Sequence, residues 1–271
     1  MSDYTTGIKE LDDVIGGIRK GSNIMLIGPP MSGKEIILNY IMYHGAAINE
    51  NAVITVTTRE SATHILEWFQ VNNLILPMSR IGIVDCVSKT LGGNAVENAN
   101  IKIASSPVDL TGIGVKISQF FEEFFMKKNN QKIQLHINSL STILMYSNIQ
   151  TVFRFLHVFT GRIKAAGALG IYVIESGMHD EQAIATLKQL FDGLIESPAT
   201  RMNFLSSSNF ISIIPSNSCF NVAIACSSCM PLSITNIPRP PAALMRPVKT
   251  WMNLKTVWIF EYIRMVEIEL I

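Results

Sequence analysis

The chain has 271 residues, of which 48% are hydrophobic and 16% are charged. This composition predicts a large buried core, and the length suits one large domain or one domain with an appended segment. The formal net charge of +1 argues against a general nucleic-acid-binding surface. The four cysteines do not predict a disulfide framework, and no apolar run is long enough to span a bilayer. The first residues lack the apolar core of a signal peptide, so we expect a cytoplasmic protein.

Short β-branched runs alternate with amphipathic stretches along most of the chain. Strands are predicted at 23–27, 52–57, 80–85, 133–137, 170–175 and 193–196. Helices are predicted near 8–15, 36–40, 61–70, 110–128, 148–166 and 180–190, and the Asn/Ser/Gly-rich residues 86–109 predict a long surface loop. This alternation predicts an α/β fold whose mostly parallel sheet carries helices on both faces. A ligand then belongs at the carboxyl ends of the strands.

The sequence changes character after residue 196. Residues 202–238 contain no charged residue, and prolines interrupt every candidate element up to residue 247. We therefore predict a core at 1–196 and an atypical low-charge segment at 197–271, which ends in apolar runs typical of edge strands. Residues 197–250 are either an irregular insertion or a stretch read from an altered frame, and sequencing the coding DNA would decide between the two.

A glycine-bounded segment, GPPMSGKE, follows the first predicted strand and leads into a helical pattern. A strand, such a loop and a lysine at the start of a helix form the P-loop, which binds phosphate. The glycines let backbone N–H groups approach an anion, and the helix N-terminus adds a positive dipole. The alternative is a Gly/Pro turn before an ordinary helix. The phosphate-binding residues predicted here are Gly28, Pro29, Pro30, Met31, Ser32, Gly33, Lys34, Glu35 and Ile36.

Three blocks together resemble the KaiC-like branch of the RecA superfamily. They are TGIKELDDVIGG at 6–17, the P-loop, and LHINSLSTIL at 135–144, which is similar to the family's Walker B strand. The resemblance covers about residues 5–196. It implies a RecA-like P-loop NTPase core in which an extra strand separates the Walker A and Walker B strands. It also implies ATP with Mg²⁺ as ligand, and a homo-oligomeric ring or filament or a protein partner.

Three departures from the family pattern fall on its catalytic positions. Glu35 replaces the Mg²⁺-binding Ser or Thr, and Asn138 stands where the Walker B Asp is expected. The acidic pair that polarises water aligns with Thr58 and Arg59, with Glu60 one residue later. The candidate catalytic residues are Glu60 and Asn138, and the candidate Mg²⁺ ligands are Glu35 and Asn138, since Mg²⁺ accepts carboxylate oxygen. We therefore favour an ATP-binding regulatory or assembly protein with weak or absent hydrolysis.

Other charged residues have two interpretations each. Arg59, Arg154 and Arg162 are candidates for an arginine that reaches the nucleotide of a neighbouring subunit, and the alternative is a surface or interface charge. Glu175 and His179 follow the fifth predicted core strand, where a sensor of the γ-phosphate would lie. The alternative for this stretch is a helix N-terminus with acids on its first turn.

Two further functions compete with nucleotide binding alone. One is an active ATPase in which Glu35 and Glu60 have taken over the positioning of metal and water. The other is a RecA/RadA-like recombination protein that acts on DNA through the loops SLSTILMYSN and SGMHDEQ. Both loops lack Lys and Arg, which argues against DNA as a partner.

Overall fold

The structure is a computed structural model that describes residues 3–92, 97–127 and 132–197. Within these ranges the helices are α1 Lys9–Ile15, α2 Lys34–Tyr43, α3 Ala62–Val71, α4 Leu110–Glu122, α5 Leu140–Tyr146, α6 Ile149–Ala166 and α7 Glu181–Lys188. The strands are β1 Asn23–Gly28, β2 Ala52–Thr57, β3 Ile81–Asp85, β4 Ile101–Ile103, β5 Ile133–Ile137, β6 Leu169–Glu175 and β7 Gly193–Glu196. None of these helices is long and apolar enough to cross a membrane.

The strands form a single parallel sheet in the order β4-β3-β2-β5-β6-β1-β7. The predicted parallel α/β sheet is therefore confirmed. Strand β6 lies between β1 and β5, which is the strand order that the resemblance implied for the Walker A and Walker B strands. The register places Gly28 beside Glu175 and Val56 beside Ile137, so the ends of these strands meet at one edge.

Helices cover both faces of the sheet, because successive residues of a strand point to opposite sides. Ile24 and Leu26 of β1 are buried with residues of α1 and α2. Met25 and Ile27 of the same strand are buried with residues of α4, α5, α6 and α7. Helix α3 packs on β2 and β3 beside the end of α2. Both faces are apolar, and this explains the continuous hydrophobic runs of the strands.

Short polar side chains determine where four of the helices begin. The side chains of Ser61, Asp109, Ser139 and Asn148 each accept a hydrogen bond from the backbone N–H three residues later. These contacts satisfy amides that have no partner inside the helix. The predicted helices at 61–70 and 148–166 therefore begin within a residue of the expected positions.

Among the α-helices and strands that the structure describes, β4 and α5 were not predicted. Residues 86–109 contain β4, a three-residue edge strand that pairs with β3. Residues 140–146 form α5, directly after the Walker B-like strand. The end of the predicted helix at 110–128 is a π-helical turn, Glu123–Lys127. Apart from Ser197, the predicted segment 197–271 and its edge strands lie outside the described residues.

Candidate functional site

The segment predicted to be a P-loop, residues 28–35, leaves β1 at the carboxyl edge of the sheet and enters α2. Gly33 is the N-cap residue of α2 with φ 81°, a left-handed conformation that glycine adopts without strain. No side-chain cap is present on this helix. In the described part of the chain, no acceptor takes the backbone N–H of Gly33, Lys34 or Glu35. These amides are therefore donors without an acceptor at the positive end of the helix dipole, where an anion is favoured.

Two positions show how tightly the loop is built. A Cβ atom on Gly28 would lie 2.7 Å from the carbonyl oxygen of Ser197 and 2.8 Å from Oγ of Ser32, so this position requires glycine. Met31 adopts φ 61° although it is not glycine, and its side chain is exposed. A non-glycine residue in this conformation is strained by about 1 kcal/mol. The strain indicates that the loop is held in one shape by its surroundings.

The side chain of Lys34 is fully buried inside this loop. Its Nζ donates hydrogen bonds to the carbonyl oxygen of Pro29 at 2.6 Å and to Oγ of Ser32 at 3.2 Å. An ammonium group has three donors, so one remains without an acceptor among the described residues. Burial lowers the pKa of Lys34, and the nearby Glu35 and Glu175 carboxylates act in the opposite direction.

Arg59 joins two acidic residues from different elements beside the loop. Its Nη1 lies 2.6 Å from Oε1 of Glu35, in the first turn of α2, and 2.7 Å from Oε1 of Glu175, at the end of β6. The sequence suggested Arg59 as a contact to a neighbouring subunit, whereas here it pairs within its own chain. The predicted Mg²⁺ ligand Glu35 is thus bound to a guanidinium group.

Asn138, the other predicted Mg²⁺ ligand and candidate catalytic residue, is buried between β5 and β2. Its Oδ1 accepts a hydrogen bond from the backbone N–H of Thr58 at 2.9 Å. The Thr58 hydroxyl lies 3.2 Å from the same oxygen, but its one proton has a nearer acceptor in the carbonyl oxygen of Ser139 at 2.8 Å. The Nδ2 of Asn138 donates to Oγ1 of Thr57 at 3.1 Å. These bonds hold the loop after β2.

Glu60 lies two residues before α3, and its Oε2 is 3.5 Å from Nε2 of His64 in the first turn of that helix. Burial raises the pKa of the Glu60 carboxyl, and the proximity of His64 opposes this shift. A raised pKa is compatible with a role in proton transfer. The catalytic role that we predicted for Glu60 stays a prediction.

Taken together, the residues at the Mg²⁺ positions that the KaiC-like resemblance implied do not fit a Mg²⁺ site. Glu35 is paired with Arg59, and Asn138 carries no charge while its side-chain oxygen accepts from the Thr58 amide. Across the ranges that the structure describes, no three or more His, Cys, Asp or Glu residues are grouped so as to hold a metal ion. The amides and Lys34 do fit a phosphate group.

The remaining sequence candidates lie apart from the loop or beside it without a defined contact. Arg154 lines a surface cavity of about 500 Å³ between α6 and α7. Arg162 donates to Oγ of Ser118 at 2.6 Å and lies over the ring of Phe159. Burial lowers the pKa of His179, and the nearby Glu175 carboxylate partly opposes this shift.

Two serines that sequence reasoning missed also support the site. Oγ of Ser197 donates to the carbonyl oxygen of Ser32 at 2.8 Å, which ties the end of β7 to the P-loop. Oγ of Ser141 accepts a hydrogen bond from the backbone N–H of Glu175 at 2.8 Å. Their only signal in the sequence is their position just after a predicted strand, where parallel strands deliver residues to the ligand edge.

Comparison with known proteins shows which family and which solved structures the chain resembles. Residues 21–197 match DUF7504, described as a family of unknown function. No curated protein matches the sequence significantly. A similar solved structure is the uncharacterised protein PH0321 of Pyrococcus horikoshii in complex with an unknown peptide, with 18% identity, a TM-score of 0.57 and coverage of 72% of this chain and 84% of that one.

A second similar structure is the KaiC-like protein PH0186 of Pyrococcus horikoshii OT3. It is 16% identical, with a TM-score of 0.51, over 74% of this chain and 82% of that one. At these identities the likeness concerns the fold alone. The chain has a KaiC-like, RecA-type fold.

Proposed function

The chain belongs to the DUF7504 family, and we propose that it is a cytoplasmic ATP-binding regulatory or assembly protein with slow or absent hydrolysis. The observation that carries this proposal is the P-loop itself. The buried Lys34 has one N–H donor without an acceptor among the described residues. Three backbone amides beside it also donate to no described residue. Buried polar groups are normally paired, so this arrangement favours an anionic ligand such as the triphosphate of ATP.

The roles of the individual residues follow from their contacts. The backbone amides of Gly33, Lys34 and Glu35 would donate to phosphate oxygens. The Lys34 ammonium would donate its third, charge-assisted hydrogen bond to the same group. The carbonyl of Pro29 and the hydroxyl of Ser32 hold that ammonium at the loop, so its position does not depend on the ligand. Pre-organised donors of this kind bind an anion without ordering cost.

Slow hydrolysis is proposed because the groups that activate water are engaged elsewhere. Asn138 carries no charge and bonds to Thr57 and Thr58, while Glu60 contacts His64. An ATPase that relies on Glu60 would lose turnover in Glu60→Gln. We expect phosphate release by the wild type to be slow and unchanged in this variant, and a large loss would favour the ATPase alternative.

Calorimetric titration with ATP tests the binding site. Lys34→Met keeps most of the buried volume and removes the ammonium, and we expect it to weaken ATP binding by about tenfold or more. Lys188→Met, on the exposed end of α7, removes the same charge away from the loop and serves as the control. Circular dichroism checks that both variants fold. Equal ATP affinity in the wild type and Lys34→Met would refute a functional P-loop.

Assembly is the second part of the proposal. The loops after β2 and β6 meet at the P-loop through Arg59 and Glu175, so a bound phosphate group would reposition both. We therefore expect the molar mass in size-exclusion chromatography with light scattering to change when ATP is added. An identical molar mass with and without ATP would refute self-assembly controlled by the nucleotide. The proposed partner would then be another protein.

A further inference from the structure

The cluster of Arg59, Glu35 and Glu175 lies where the first turn of α2 and the ends of β2 and β6 converge. Each carboxylate comes within 2.7 Å of the same guanidinium nitrogen, Nη1. The two acids are separated by many residues in the sequence, so the cluster exists only because the parallel strands end at one edge. All three charged groups are close enough to Lys34 to affect its pKa.

We propose that the Arg59 guanidinium takes the place of a divalent cation, so that the loop binds the phosphate groups of a nucleotide without Mg²⁺. This inference rests on the proposed nucleotide binding and specifies its chemistry. Glu35 follows Lys34 directly, at the position where the KaiC-like resemblance implied a Mg²⁺ ligand, and this residue is paired with the positive charge of Arg59.

The geometry leaves Arg59 able to bind a further anion. Both carboxylate contacts use Nη1, and no described residue accepts from Nη2 or Nε. The guanidinium group carries five N–H donors in a planar fork that matches phosphate in a bidentate manner. The side chain is 44% exposed, which leaves the remaining donors accessible to a ligand.

The charges of the groups around the loop also favour a role for Arg59 in place of Mg²⁺. Lys34 and Arg59 are positive, and Glu35 and Glu175 are negative, so these four groups together are neutral. Without Arg59 the balance at the loop is negative, and a phosphate group would meet two unpaired carboxylates. Those freed carboxylates are the type of ligand that Mg²⁺ prefers. A variant without Arg59 should therefore bind ATP more weakly in the absence of Mg²⁺ and regain affinity when Mg²⁺ is supplied.

ATP titrations in excess EDTA and in excess Mg²⁺ test this inference on the full chain. We expect wild-type affinity in the two buffers to agree within about threefold. Arg59→Gln should lose about tenfold or more in EDTA and recover most of that loss in Mg²⁺. Arg80→Gln is the matched control, since Arg80 pairs with Glu50 and contacts none of the site residues.

The two proposals fail in different ways. Wild-type binding that requires Mg²⁺ would overturn the role of Arg59 and leave nucleotide binding intact. An Arg59→Gln variant that binds ATP in EDTA as well as the wild type would also overturn it. Wild-type protein that binds no ATP in either buffer would overturn nucleotide binding itself. The wild-type comparison does not depend on whether any variant folds.

Discussion

The proposed binding of phosphate depends on single side chains at this loop. Glu35 is the first example, because its carboxylate lies in the first turn of α2, next to Lys34 and the free amides. A like charge a few ångströms from a phosphate costs on the order of 1–3 kcal/mol at an intermediate dielectric. The partial neutralisation by Arg59 reduces this cost without removing it.

We therefore predict that Glu35→Gln tightens ATP binding by about tenfold in the absence of Mg²⁺, equivalent to ~1.4 kcal/mol. Equilibrium dialysis with ATP in EDTA measures this change. Glu67→Gln removes the same charge from an exposed position on α3 and should leave the affinity unaltered. Weaker binding by Glu35→Gln in EDTA would contradict the prediction, because it would show that the carboxylate supports the ligand without a metal.

The protonation of Lys34 gives a second prediction. Its pKa lies below the ordinary lysine value because the side chain is buried, and the cation is the form that binds phosphate. As the pH rises, ATP affinity should therefore begin to fall at a lower pH than it would for an unperturbed lysine with a pKa of about 10.4. Titrations at a series of pH values measure this. Constant affinity up to the ordinary lysine range would contradict it.

Among the secondary-structure elements, β3 and α3 are joined by one buried carboxylate. Asp85 accepts hydrogen bonds from the backbone N–H groups of Ala62, Val87 and Ser88 and from the Ser88 hydroxyl. Burial opposes ionisation, but the hydrogen bonds prevail and lower the pKa of Asp85 below its ordinary value. Its contribution to stability is thus present above the unfolded pKa and is lost as the pH falls through the folded pKa.

We predict that Asp85→Asn lowers the free energy of unfolding at neutral pH by about 1–3 kcal/mol, because an amide replaces one of the two accepting oxygens with a donor. Urea denaturation measures the loss. The difference from the wild type should shrink in acid, where Asp85 becomes protonated. Asp13→Asn, on the exposed side of α1, is the control. An equal loss in Asp13→Asn would refute a specific role.

The sequence was sufficient for elements with a strong local pattern. The β-branched runs of β2 and β5 predicted both strands with the observed bounds, since both faces of each strand are buried. The three residues of β4 are only half-buried and are flanked by Asn and Ser, so their pairing depends on β3 rather than on a local signal. The contacts of Arg59 with Glu35 and Glu175 join distant segments, which no periodicity reveals.

At the scale of the whole domain, a ligand that binds only the folded state stabilises that state. ATP at about 100 times its Kd should stabilise the folded state by ~2.7 kcal/mol and raise Tm by roughly 5–10 °C. Differential scanning calorimetry measures the shift. Lys34→Met should show little or no shift at the same concentration. A similar increase in Tm for both proteins would place the ligand elsewhere on the chain.

The most direct measurement is a crystal structure of the protein grown with a non-hydrolysable ATP analogue. We predict phosphate oxygens at about 3 Å from the backbone nitrogens of Gly33, Lys34 and Glu35, with Nζ of Lys34 as a further donor. A loop that stays empty at saturating analogue, or an analogue bound away from these amides, would contradict the proposal that this chain is a nucleotide-binding protein.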